Sequence, residues 1–269
     1  MNKSELSYGH VEDYIRKVRS HGRYAFTLAE VKGQFDISDK ALHQSLYRLK
    51  VKKSIAQVRK GFYAIITPEY LNQGMLPLNL FIDDLMKSLD RRYYIGLLSA
   101  AALYGAAHQQ PMEYFVITER SSLRDIKGKK LKINFLVKKN WEDEDIIHKK
   151  TDAGYINVSS PALTALDLLY SPNSIGINQT VTILKELVSE IKLPELARTA
   201  KLYPQTTAIQ RLGYLLDTQV ENEKLSDALV KALKGKKMFS VPLSNTKIKI
   251  GELNEKWKVI KNMKIESDL

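Results

Sequence analysis

Between Ile37 and Ile66 the chain reads ISDKALHQSLYRLKVKKSIAQVRKGFYAII, and this stretch limits the possible folds more than any other. Ser38 can cap a helix, because its hydroxyl can accept from one of the backbone N–H groups that a first turn leaves unbonded. The helix should run to about Lys50. At about 100° per residue, Leu42, Leu46 and Leu49 fall on one stripe and Lys40, Gln44 and Tyr47 on the opposite one, with His43 and Arg48 on the flanks. Two short strands follow, Ser54 to Val58 and Phe62 to Ile66, turning back through Arg59-Lys60-Gly61, where Gly61 can adopt a positive φ. A two-faced helix followed by a basic hairpin is the outline of a recognition helix with a β-wing.

The residues before it complete that outline. Val11, Tyr14, Ile15 and Val18 recur at helical spacing between Tyr8 and Ser20, and His21-Gly22 is a natural stop. Thr27 with Glu30 three residues on spells a capping box for a short second helix ending near Asp36, with Leu28, Val31 and Phe35 on its apolar side. Charge supports a nucleic-acid partner: of the net +12 of the whole 269-residue chain, residues 1–67 carry +7, from 13 Lys and Arg against 6 Asp and Glu. Gln can pair with adenine through two hydrogen bonds, Lys and Arg reach guanine or phosphate, and Tyr bonds phosphate. The candidate DNA contacts are therefore Lys40, His43, Gln44, Tyr47 and Arg48 on the helix, Lys52 and Lys53 leading into the first strand, and Arg59 and Lys60 at the turn. For any single one of these lysines, an ordinary solvated face is the competing reading.

Beyond Thr67, Pro68, Gly74 and Pro77 break both periodicities, so residues 68–79 are expected to be a linker or docking segment between an N-terminal domain at 1–67 and a second domain at 80–269. The second domain reads as mixed α and β. LFIDDLMKSL suggests one helix and Tyr93 to Ala107 a second, buried one, apolar nearly all round. Strands are expected at Tyr114 to Thr118 and Leu131 to Val137, then a hairpin from Ile146 to Lys150 and Tyr155 to Val158. Helices dominate after Ser160, and possible strands near Val241 and Trp257 close the chain. The fold class is α+β, a winged helix-turn-helix followed by a larger helix-rich domain. With no cysteine, disulfides and thiolate metal sites are excluded, and no apolar run reaches the roughly 20 residues needed to span a bilayer. A soluble, cytoplasmic protein with no membrane partner is expected.

Enzymatic signals are weak. Gly128-Lys129 and Gly235-Lys236 are each followed by Lys, so neither ends a phosphate-binding P-loop. Asp143 and Asp145 form a D-x-D that would suit a metal pair, but no Gly-Ser dipeptide occurs in the chain, and a solvated acidic loop is the favoured reading. His10, His21, His43, His108 and His148 show no metal-ligand spacing. The expectation is a non-enzymatic protein with no metal and no cofactor. His108, with Gln109 and Gln110, either caps a helix end or, together with Arg120, forms a polar recognition surface.

The segments YYIGLLSAAALYGAAHQQP, EYFVITER, INVSSPALTALDLL, AIQRLGYLLD and WKVIKN, in that order, resemble the AbiEi family of antitoxin-regulators of bacterial type IV toxin-antitoxin (abortive infection, phage defence) systems. The resemblance implies a repressor whose winged helix binds inverted repeats in the promoter of its own operon, which allows two copies of the chain on the DNA. It also implies an antitoxin that opposes a cognate nucleotidyltransferase toxin without a stable complex, and the polar cluster of His108, Gln109, Gln110 and Arg120 is the candidate antitoxin surface. Two other functions stay open: a nucleic-acid-modifying enzyme guided by the winged helix, and an adaptor that binds the toxin directly.

Overall fold

The computed structural model describes residues 3–266 except Asp36, residues 107–112, Lys129 and residues 171–174. The chain begins α1 (Lys3–Ser20), β1 (Ala25–Thr27), α2 (Leu28–Gln34), α3 (Asp39–Val51), β2 (Ile55–Arg59) and β3 (Phe62–Ile65). The capping box forms as the sequence predicts: Glu30 N–H donates to Thr27 Oγ1 at 3.1 Å, and Thr27 N–H donates to Glu30 Oε2 at 2.6 Å. Burial pushes the Glu30 carboxyl up, but the hydrogen bonds from Arg23 and Thr27 outweigh it and hold it below the ordinary carboxylate value. Strand β1 was not foreseen, because three residues are too few to show a period. It pairs antiparallel with β3, and β3 with β2, giving the order β1-β3-β2. The helices close over this sheet through Val11, Ile15, Phe26, Val31, Leu42, Leu46, Leu49 and Tyr63, all buried.

The chain continues as α4 (Ile82–Ser88), β4 (Tyr93–Ile95), α5 (Leu97–Leu103), β5 (Glu113–Thr118), β6 (Ile126–Lys127), β7 (Lys132–Val137), β8 (Ile146–Thr151) and β9 (Gly154–Ser159). Five helices follow, α6 (Pro161–Tyr170), α7 (Ile177–Leu187), α8 (Leu193–Leu202), α9 (Thr206–Thr218) and α10 (Glu223–Leu233), and then β10 (Val241–Pro242), β11 (Glu252–Asn254) and β12 (Val259–Lys261). The single helix expected from Tyr93 to Ala107 is corrected: Tyr93 to Ile95 are a strand, Gly96 is extended, and the helix is only Leu97–Leu103. A strand buried on both faces is apolar at every position, so its sequence cannot be told from that of a buried helix by period alone.

Two compact units share the chain without following its order. The first takes Met1–Tyr93, Met112–Val137 and His148–Asn157; the second takes Tyr94–Pro111, Lys138–Ile147 and Val158–Leu269. The first thus runs through residues 68–79, where the expected linker instead makes two short 3-10 turns and buries Leu76 and Leu78. Also in the first unit, β5 lies parallel to β7 and β6 antiparallel to it.

In the second unit α9 anchors the C-terminal segment. Gln210 donates to the carbonyls of Phe239 and Trp257, the buried Arg211 donates to Pro242 O, and Trp257 Nε1 donates to Asp217 at 3.1 Å. Trp257 is fully buried and its ring lies directly over Gly213, where an added Cβ would stand 2.0 Å from Trp257 Cζ3. No side chain fits beneath that ring. Gly213→Ala should therefore destabilise the second unit by about 1–3 kcal/mol through overpacking, read as a lower urea midpoint, although alanine is the better helix former. An unchanged midpoint would mean that the indole has room to move away.

Candidate functional site

Helix α3 presents two unlike faces. Ser38 Oγ accepts from Ala41 N–H at 3.3 Å, which fixes where the helix starts and hence which residues face out. Leu42, Leu46 and Leu49 are each 1% exposed, whereas Lys40, His43, Gln44, Tyr47 and Arg48 all face solvent. Tyr47 leaves 64% of its surface in water, unusual for a ring whose helix has a leucine core available on its other side. The exposed residues thus form a continuous donor-rich surface that can follow a groove.

Lys52 ends α3, exposed, with its ammonium 4.0 Å from Glu12, and Lys53 adopts φ +58, a left-handed conformation that turns the chain into β2. Between β2 and β3, Gly61 has φ +77 and its carbonyl accepts from Leu28 N–H at 2.7 Å, so the turn is tied to the start of α2. Lys60 is exposed at this turn, whereas Arg59 is half-buried. The pairing register shifts between Gln57 and Arg59, and Arg59 Nη1 is buried without a hydrogen-bond partner among the described residues.

The other expected surface lies mostly outside the described residues. His108, Gln109 and Gln110 lie outside the described residues, and Arg120, exposed at φ +66, has Glu119 3.7 Å away. The D-x-D also reads differently once folded. Asp145 is 2% exposed and accepts from Thr199 Oγ1 at 2.6 Å and Arg198 at 2.8 Å, so the motif is in part a buried crosslink rather than a solvated acidic loop. Among the described residues, no three His, Asp or Glu side chains converge as metal ligands.

What the sequence reading missed is a buried cluster around Asp167, in the second unit. Lys138 Nζ and Tyr203 Oη both donate to Asp167 Oδ1, each at 2.6 Å, and Tyr94 Oη donates to Oδ2 at 2.6 Å. All four side chains are at most 5% exposed. Burial, reinforced by the Asp167 carboxylate, pushes both tyrosine hydroxyls well above their ordinary value, so they remain donors. The Lys138 ammonium also lies 4.3 Å from the centre of the Tyr203 ring, and Trp141 packs edge-on against Tyr94. The visible signal was an aspartate alone in the apolar run ALTALDLLY, since a charge at a core position needs a partner.

All of this cluster falls in one segment that resembles a known family. Residues 94–218 match the AbiEi antitoxin C-terminal domain. That segment, just under half of the chain, is similar to the AbiEi antitoxin C-terminal domain. The matched segment contains Tyr94, Lys138, Asp145, Asp167, Arg198 and Tyr203, and the match ends at Thr218, the last residue of α9. No curated protein matches the chain. Among solved structures, the fold is similar to that of the RV2827C protein from Mycobacterium tuberculosis, with a TM-score of 0.63 over 94% of this chain and 91% of that one at 16% identity. An antigenic nucleotidyltransferase-like protein from Paracoccidioides brasiliensis aligns with 56% of this chain and 89% of its own at a TM-score of 0.36 and 12% identity, too remote to bear on function.

Removing one partner of a buried, hydrogen-bonded ion pair leaves the other charge without compensation. Lys138→Met should therefore cost about 3–5 kcal/mol in urea unfolding, and adding Asp167→Leu should recover part of that loss. A loss below about 1 kcal/mol for Lys138→Met, the level of an exposed pair, would show that water reaches the cluster.

Proposed function

We propose that this chain joins two roles, as a winged helix-turn-helix repressor of its own operon and as an antitoxin. The observation that carries the first is α3, whose capped start and leucine core leave Lys40, His43, Gln44, Tyr47 and Arg48 all facing solvent. An element order of three helices and a three-stranded antiparallel sheet, with a basic turn after α3, agrees with a recognition helix and wing. In this reading Gln44 and Lys40 reach base edges in the inverted repeats of the promoter, Tyr47 and Arg48 reach phosphates, and Lys52, Lys53, Arg59 and Lys60 neutralise the flanking backbone. The AbiEi match supports the second role, opposition to a nucleotidyltransferase toxin without a lasting complex. No helix among the described residues is long and apolar enough to cross a membrane.

Gel-shift titration of the duplex upstream of the operon tests the repressor role. Gln44→Ala should lower affinity for the operator by about 1–3 kcal/mol and relax its sequence preference, whereas Lys60→Glu should weaken binding to every duplex and flatten the salt dependence by about 1 in log–log slope. No operator-specific shift of the wild-type chain at low salt would refute it. For the antitoxin role, co-expression with the neighbouring toxin should restore growth while the two proteins fail to co-purify; stable co-purification would favour the direct adaptor. Arg120→Ala should weaken rescue and leave the DNA shift intact if the proposed antitoxin surface includes that residue.

A further inference from the structure

We propose that the first unit carries a small-molecule site beside the turn joining β2 to β3, for an oxyanion with a compact apolar body, such as an aryl phosphate. Its occupant engages Arg59 and Lys60 and so acts as an inducer, releasing the chain from its operator. The site is argued from the cleft alone, and only its effect on DNA rests on the repressor reading above. The cleft, of about 750 Å³, opens between the start of α2, the β2–β3 turn and α4, all within the first unit.

Its walls are tied to one another. Arg23 donates from Nη1 to Glu30 Oε1 at 2.8 Å and from Nε to Asp84 Oδ2 at 3.3 Å, which links α2 to α4. The bond from Leu28 N–H to the Gly61 carbonyl, at 2.7 Å, links α2 to the turn. Leu28 and Leu89, partly exposed, and the buried Phe62 and Leu85 give the cleft an apolar lining. A concave apolar surface with a few convergent polar groups is the kind of place that small ligands occupy.

The charges in the lining divide into those already engaged and those that are not. Both of its carboxylates, Glu30 and Asp84, bond Arg23, while Lys32 pairs with Asp39 at 2.7 Å and Lys87 with Asp83 at 2.6 Å. Arg59 is different: its Nη1 is buried with no hydrogen-bond partner among the described residues. A donor held out of water in that way carries a desolvation penalty that an incoming acceptor removes. Lys60, next in the chain and exposed, adds a second positive charge to the same wall. Two cations side by side suit the oxygens of one phosphate or carboxylate head, and the leucines and Phe62 suit what that head is attached to. A duplex backbone supplies the head but no apolar body, so the lining distinguishes this ligand from DNA.

The test is calorimetry on the full chain with phenyl phosphate, inorganic phosphate and phenol. Phenyl phosphate should bind once per chain and about tenfold more tightly than inorganic phosphate, through burial of its ring, and phenol should not bind. Arg59→Gln and Lys60→Gln should each weaken phenyl phosphate by about tenfold, the loss of one charge-assisted hydrogen bond. Arg124→Gln, at an exposed arginine outside this cleft, should leave its affinity unchanged. Lys60→Gln, at a solvent-facing position, keeps the test decisive even if Arg59→Gln unfolds the chain. No binding of phenyl phosphate at millimolar concentration overturns the site. So does equal affinity for the two phosphates, or an equal loss in Arg124→Gln, because either outcome reports only general charge attraction. In gel shifts at matched ionic strength, phenyl phosphate should lower operator affinity where inorganic phosphate does not. Binding to the cleft with operator affinity unchanged overturns the inducer role. A wild type that shifts no duplex overturns the repressor reading, and the calorimetry still decides whether the site exists.

Discussion

The Asp167 carboxylate is the constraint on which the second unit depends. It accepts from Lys138, Tyr203 and Tyr94, which come from the residue after β7, the residue after α8 and strand β4. A carboxylate in an apolar interior is tolerated only when its charge is opposed and its lone pairs are occupied. Three segments distant in sequence must therefore arrive together at α6, and Asp145 makes the same demand of Arg198 and Thr199 on α8. Hydrophobic burial alone is tolerant of small shifts in register, whereas these hydrogen bonds are not. Helices α6 and α8 are held in place by polar groups that the apolar pattern around them conceals.

The first unit is organised by a simpler condition. Three leucines on α3 fill a core made with α1, α2 and the β1-β3-β2 sheet, and the helix has no choice but to turn Lys40, Gln44 and Tyr47 outward. The rigidity of that outward face follows from the packing behind it, since a helix whose opposite face is fully buried cannot roll without opening a cavity. The Gly61 carbonyl, bonded to Leu28 N–H, extends this rigidity to the basic turn. The exposed polar face and the buried core are thus two sides of the same thirteen-residue helix.

Most of the local structure was legible. The capping box at Thr27, the Ser38 cap, the split of α3 into apolar and polar stripes, and most of the later helices and strands came from neighbours within four residues. The failures share a physical origin. Tyr93 to Ile95 read as helix because a strand buried on both faces carries no period, and the acidic D-x-D read as solvated because nothing adjacent in sequence reveals Arg198 and Thr199. Pro68 and Pro77 looked like a domain boundary, yet the same punctuation serves turns inside a unit that continues to Tyr93.

The sequence by itself determined which residues α3 buries and which it shows, where its helices are capped, the concentration of positive charge at its N-terminal end, and the likeness to AbiEi antitoxins carried by motifs spread along the chain. Only the tertiary structure decided that Tyr94 and Asp167, 73 residues apart, share a hydrogen bond, that Arg59 is half-buried, and that Leu85 and Leu89 line a cleft with it. Caps and stripes are set by interactions within one helical turn, which any reader of the chain can count. Contacts that close loops of many tens of residues depend on how the whole core packs, and no local pattern encodes them.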